Sequence, residues 1–184
     1  MSVMDENMNE PLLRPEFTKA LAERLVAGES INLTAPHGYG RRQTVSELRG
    51  ILPDSMRVLF SDIKFCLDDY SAMLVDLAAQ AGMEEGNIHD LGQLIKALSK
   101  NPAPALLILH NFDLLRFETL NQPHDPLYDA ALIPYLANFS VYPHLALLTV
   151  SEAPYSDWPP FCTGESKPQG NSTLPVTLPM PLPE

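Results

Sequence analysis

The chain predicts an α/β fold in three layers, a mostly parallel five-stranded sheet flanked by helices. Three observations carry this expectation. Short apolar runs alternate with segments of helical periodicity, the order that produces parallel strands joined by helices. One run, Ala105 to His110 (ALLILH), is apolar almost without interruption, as a strand covered on both faces must be. The 184 residues, 45% of them hydrophobic, suffice for one ordinary core. The expected organisation is a flexible N-terminus, 1–12, and one domain, 13–184, with a long surface loop at 152–171.

Within Pro11 to Ala27, residues Phe17, Leu21 and Leu25 recur at helical spacing, with Pro15 suited to a first turn and Gly28 to a stop. Ser30 to Thr34 is a short apolar strand, and Arg41 to Arg49 is the helix after it. Met56 to Asp62 is a second strand, since Val58 to Phe60 are β-formers behind a Leu-Pro-Asp turn. Two amphipathic helices follow: Asp69 to Ala81, apolar at Met73, Leu74, Leu77 and Ala78, and Ile88 to Ser99, apolar at Leu91, Leu94, Ile95 and Leu98. After the run at Ala105, Pro126 to Asn138 is a further helical candidate and Leu145 to Ser151 a fourth strand. Thr173 to Leu178 is a short edge strand weakened by prolines. Ten of the 18 prolines lie beyond Pro126, which marks the last quarter as loop and extended chain.

The net charge of −11, with only 12 Lys and Arg, argues against nucleic acid and against an anionic membrane surface, both of which are bound through cations. Met1 to Glu10 lacks the basic start and apolar run of a secretory signal, and no stretch reaches the roughly 20 apolar residues of a membrane span. A cytoplasmic protein is expected. Cys66 and Cys162 have no metal-ligand spacing and read as small core hydrophobes. No pair among His37, His89, His110, His124 and His144 has the spacing of a helical zinc site, and no G-x-S-x-G elbow anchors a hydrolase triad. No metal site is expected. Tyr142, Tyr155, Trp158 and Phe161 are expected to pack the long loop onto the core.

The most informative stretch runs from the first strand into the second helix. A phosphate-binding loop G-x-x-x-x-G-K-[ST] needs glycines that let backbone N–H groups curl around phosphate, a Lys for the terminal phosphates and a hydroxyl for Mg²⁺. Here Ala35 stands at the first glycine, followed by Pro36, His37, Gly38 and Tyr39; Gly40 is the second glycine, Arg41 stands for the Lys, Arg42 for the hydroxyl residue, and Gln43 follows. The spacing has the loop's shape without all of its chemistry. Arg41 is able to bind phosphate, since a guanidinium makes charge-assisted, often bidentate bonds to its oxygens. The same residues also read as turn glycines followed by a solvated basic pair.

The order of elements resembles the AAA+ and signal-transduction (STAND) branch of P-loop NTPases. The resemblance rests on Leu13-Arg14-Pro15-Glu16 ahead of a helix, the loop from Ile31 to Arg41, Leu106 to Asp113 placed like a Walker B strand, Leu147 to Ser151 placed like a sensor-1 strand, and Thr173 to Pro183 placed like the last core strand. It implies that His110 stands where the Mg²⁺-orienting Asp belongs and Asn111 where the water-activating Glu belongs. Imidazole is a poor substitute for a hard oxygen ligand, and an amide cannot accept a proton from water. Asp113 lies three residues beyond the strand's polar end. Ser151 is the sensor-like residue, and Asp62 closes the second strand, with solvation its commoner role.

The resemblance implies ATP or another nucleotide as cofactor, with Mg²⁺ not expected. The expected function is a degenerate regulatory or signalling module that binds nucleotide with little or no hydrolysis. The helical lid that follows the last strand in such proteins is expected to be missing, and a protein partner to take its place. Two alternatives stay open: an active ATPase in which Arg41 replaces Lys and Asp113 supplies the carboxylate, and a non-binding scaffold.

Overall fold

The computed structural model describes residues 12–83, 88–116, 124–153 and 176–183. In chain order these form α1 (Pro15–Val26), β1 (Ile31–Thr34), α2 (Arg41–Ile51), β2 (Arg57–Asp62), α3 (Tyr70–Gln80), α4 (Leu91–Ser99), β3 (Ala105–His110), β4 (Leu145–Ser151) and β5 (Val176–Pro179). The strands make one sheet in the order β2-β3-β4-β1-β5, with every neighbouring pair parallel. β5 is an edge strand, the position where its prolines are tolerated.

Alternate residues of the strands feed two separate apolar clusters, as the period of two requires. On one face, Ile31, Leu33, Leu106, Ile108, Leu148 and Val150 meet Leu21 and Leu25 of α1 and Val45 and Leu48 of α2. On the other, Leu59, Leu107, Leu109, Leu145 and Leu147 meet α3 and α4 through residues such as Met73, Leu77, Leu94 and Leu98. β3 and β4 are buried along their whole length, because both of their faces are covered.

The helix starts follow local chemistry. Asp69 caps α3 by accepting from Ala72 N–H, and Asp90 caps α4 by accepting from Gln93 N–H. Hence α4 begins at Leu91, three residues after the expected Ile88. The helical candidate at Pro126 is not an α-helix. It is a π-helical turn at Tyr128–Leu132 followed by a 3-10 helix at Ile133–Val141. Pro134 lacks an N–H and disfavours α geometry in the residue before it, which separates the two.

Cys66 is half-buried against one apolar cluster, as is Tyr142. Most of the N-terminus expected to be flexible, most of the segment 152–171 expected to be a loop, the first residues of the expected edge strand, and Tyr155, Trp158, Phe161 and Cys162 lie outside the described residues. Among the described residues no helix is long and apolar enough to cross a membrane.

Candidate phosphate-binding site

β1 and β3 flank β4, and the chain leaves their carboxyl ends toward opposite faces of the sheet: α2 to one, and the helical turns after Phe112 to the other. A crevice at such a switch point is where open α/β sheets bind ligands. Of the residues singled out from the sequence, Ala35 meets Ser151 there and Arg41 meets Asp113, whereas Gln43 turns away.

The loop begins as an extension of the sheet. Ala35 is buried and its N–H donates to Ser151 O at 3.1 Å, so the end of β1 is tied to the end of β4. Pro36, His37 and Gly38 are exposed, and Tyr39 N–H reaches back to Pro36 O at 3.4 Å. Gly38 and Gly40 have φ of 87° and 76°, left-handed values that side-chain-bearing residues avoid. Gly40 is also the residue before α2, so the left-handed turn throws the chain directly into the helix. Its first intrahelical bond is Thr44 N–H to Gly40 O at 2.9 Å, which leaves the N–H groups of Arg41, Arg42 and Gln43 without intrahelical acceptors. A helix start of this kind favours anions.

The basic pair divides. Arg42 is exposed, whereas the Arg41 side chain is only 9% exposed. Arg41 Nη2 donates to Glu152 Oε1 at 3.0 Å, and Nη1 lies 3.9 Å from Asp113 Oδ1. At that separation neither Nη1 nor Asp113 Oδ1 has a hydrogen-bond partner. His37 Nδ1 is 3.7 Å from the same Glu152 oxygen. Gln43 turns away along the helix and donates to Glu47 at 2.9 Å. The solvated-pair reading therefore holds for Arg42 and fails for Arg41, which two carboxylates neutralise at a helix end that disfavours cations.

At the end of β3, His110 is buried with neither ring nitrogen hydrogen-bonded. Its Nδ1 lies 3.5 Å from Asp62 Oδ2. Burial holds the imidazole below its ordinary value; Asp62 opposes this, and Arg41 and Arg42 reinforce it. Asn111 has φ of 54° and donates from Nδ2 to Asp62 Oδ1 at 2.8 Å. Asp62 is thus a mostly buried acceptor serving β3, not a solvated surface carboxylate. Burial pushes the Asp113 carboxyl up, with Arg41 opposing and Glu152 adding to the rise. Ser151 is fully buried; its Oγ accepts from Asn32 at 2.9 Å and donates to Ala153 O at 2.9 Å. Among the described residues no group of three or more His, Cys, Asp or Glu is placed to hold a metal ion.

Two residues that sequence reasoning did not select matter here. Arg14 is fully buried and donates from Nη2 to Tyr39 O at 2.6 Å, from Nη1 to Thr44 Oγ1 at 2.9 Å and from Nε to Pro181 O at 2.7 Å. It fastens the loop, the first turn of α2 and the chain after β5 to one guanidinium. Glu152 is the other. A cleft of about 380 Å³ also opens beside β2, lined in part by Phe60, Asp62, Phe65 and Asp76, but it shares only Arg42 with the loop.

No protein-family model and no curated protein matches the chain. Solved structures do. Drosophila ORC bound to DNA superposes with a TM-score of 0.58 at 18% identity, over 88% of this chain and 41% of that one. The Aeropyrum pernix ORC1 protein in complex with DNA gives 0.58 at 16% identity, over 97% and 48%. The Aeropyrum pernix ORC2 protein in its ADPNP–ADP complexes gives 0.57 at 19%, over 95% and 50%. The chain shares their P-loop NTPase-like fold.

This chain spans half or less of the length of those proteins. The structures also correct one expectation. Two of these relatives in fold are bound to DNA, so the negative charge of this chain does not exclude nucleic acid as it was expected to. Net charge averages over the whole surface, whereas nucleic acid is met by a local one.

Proposed function

We propose that this P-loop domain binds a nucleotide through its phosphates with little or no hydrolysis, and acts as a regulatory or signalling module through a protein partner. The observation that carries the reading is the left-handed turn at Gly38 and Gly40, which delivers a buried Arg41 and the start of α2 to the switch point of the sheet. The loss of turnover is inferred from the same place. Arg42 has no hydroxyl for Mg²⁺, His110 offers imidazole where a carboxylate oxygen is needed, and Asn111 is an amide already bonded to Asp62. Arg41 and the N–H groups in the first turn of α2 favour phosphate without requiring a metal. The nucleotides and DNA held by proteins of this fold are both ligands to test.

One observation favours a second reading, the non-binding scaffold: Arg41 already holds Glu152. Thermal unfolding with ATP, ADP, GTP and ATP plus EDTA separates the readings. Ligand at about 100 times its dissociation constant adds about 2.7 kcal/mol, a shift of several degrees. A shift that survives EDTA is expected. A shift that requires Mg²⁺ favours the active ATPase, and no shift with any nucleotide favours the scaffold.

A further inference from the structure

We propose that the Glu152 carboxylate occupies the anion position of the glycine loop and is exchanged for ligand phosphate, so that Glu152 sets the loop's affinity for anions. The inference rests on the phosphate-binding reading of Arg41 and adds to it what fills the site before a ligand arrives.

Three features of the geometry point to exchange and not to a permanent ion pair. The first is placement. β4 lies beside β1 with Ser151 opposite Thr34, and Ala35 N–H is bonded to Ser151 O, so the residue after Ser151 is fixed beside the start of the loop. The bond from Ser151 Oγ to Ala153 O makes a tight turn around Glu152. The second is asymmetry of burial. The Arg41 side chain is 9% exposed, but that of Glu152 is 45% exposed, so the carboxylate can swing into water at little desolvation cost while the guanidinium stays. The third is incomplete satisfaction. One oxygen, Oε1, serves both Arg41 Nη2 at 3.0 Å and His37 at 3.7 Å, and the buried Arg41 Nη1 has no hydrogen-bond partner. A phosphate group presents enough oxygens to engage both guanidinium nitrogens, which a carboxylate held through one oxygen does not.

The test is titration of the full chain with pyrophosphate and with ATP, both in EDTA, using wild type, Glu152→Gln and Arg41→Gln. Removing the internal competitor is expected to tighten pyrophosphate binding about tenfold, the effect of one charge-assisted contact. Arg41→Gln is expected to bind neither ligand measurably. Glu152→Asp, one methylene shorter, is expected to lie between wild type and Glu152→Gln, and serves if the amide variant folds poorly. Equal affinities for wild type and Glu152→Gln overturn the exchange and leave nucleotide binding standing. Tightening for pyrophosphate, with ATP bound no better than pyrophosphate, supports the exchange and overturns the nucleotide reading. Absence of binding in every variant overturns both.

Discussion

The glycine loop and the carboxyl end of β3 meet where Arg41 approaches Asp113, yet they are built in different ways. The loop is held by backbone and by one buried cation: left-handed Gly38 and Gly40 set its course, and Arg14 binds Tyr39 O and Thr44 Oγ1 from behind. The β3 end is held by side chains that answer one another. Asp62 accepts from Asn111 and lies beside His110, and Asp113 faces Arg41. The proposed phosphate site lies in the first kind of structure, whose frame is held by Arg14 without a ligand. In a cluster of the second kind Asn111 is spent on Asp62, while His110 and Asp113 Oδ1 are buried without hydrogen-bond partners. On the proposed function, phosphate binding and phosphate hydrolysis would depend on these two different places.

The largest effect is expected from breaking the frame of the loop. Arg14→Ala removes three bonds from a buried guanidinium and leaves Tyr39 O, Thr44 and Pro181 O to find other partners. It is expected to cost about 3–5 kcal/mol, or roughly 10 °C in midpoint. Arg14→Lys is expected to recover little, since an ammonium does not span the same fork. Thermal unfolding checks both, and an Arg14→Ala variant as stable as wild type would remove the frame from the account.

Next is the β3 end. Asn111→Glu sets a second carboxylate against Asp62 in place of a donor, at a left-handed residue, and is expected to cost about 2 kcal/mol. Adding Asp62→Asn supplies a new donor, and the double variant is expected to regain more than half of the loss in urea unfolding. Additive losses would show that Asp62 and Asn111 do not act as a pair.

Smaller again is the contrast between the two glycines. Both Gly38→Ala and Gly40→Ala incur about 1–2 kcal/mol of left-handed strain. Only at Gly40 would the new methyl meet an atom, Leu13 Cδ2 at 2.7 Å, whereas nothing lies within 4 Å at Gly38. Gly40→Ala is expected to be the less stable of the two, by a few tenths of a kcal/mol or more according to how far Leu13 gives way. Equal losses would mean that the side chain yields freely.

The smallest effect is a pH dependence. Burial lowers the His110 value, so the folded state binds fewer protons than the unfolded one below the ordinary 6.5. Its contribution is complete above 6.5 and is lost as the pH falls toward the depressed folded value. Asp113 is shifted the opposite way, and its contribution, complete below the ordinary 3.8, is lost as the pH rises through the elevated folded value. Urea midpoints of wild type are expected to fall relative to His110→Gln as the pH drops below 6.5, and to rise relative to Asp113→Asn as the pH drops from neutrality toward 3.8. Parallel midpoints would show that neither group titrates differently on folding.

These contrasts also explain what the sequence disclosed. β3 and β4 were legible because strands covered on both faces must be apolar throughout, and the loop was legible because only glycine adopts its turns freely. The carboxylate behind Arg41 was not, since Glu152 lies 111 positions away and nothing near it in sequence marks it out. Arg14 was hidden in the same way, with partners as distant as Pro181. Asp62 read as a solvated strand end because its burial comes from β3, which lies beside it in the sheet but far along the chain. Local backbone requirements leave a local trace, whereas ion pairs across the sheet leave none.

The central claim is that phosphate binding survives where catalysis does not. Its most direct test is equilibrium binding of ATP to the full chain, in EDTA and again in excess Mg²⁺, with released phosphate measured in the same samples. The account predicts equal affinity in both conditions and no phosphate release. Binding that appears only with Mg²⁺ and is followed by phosphate release would contradict it, as would no binding in either.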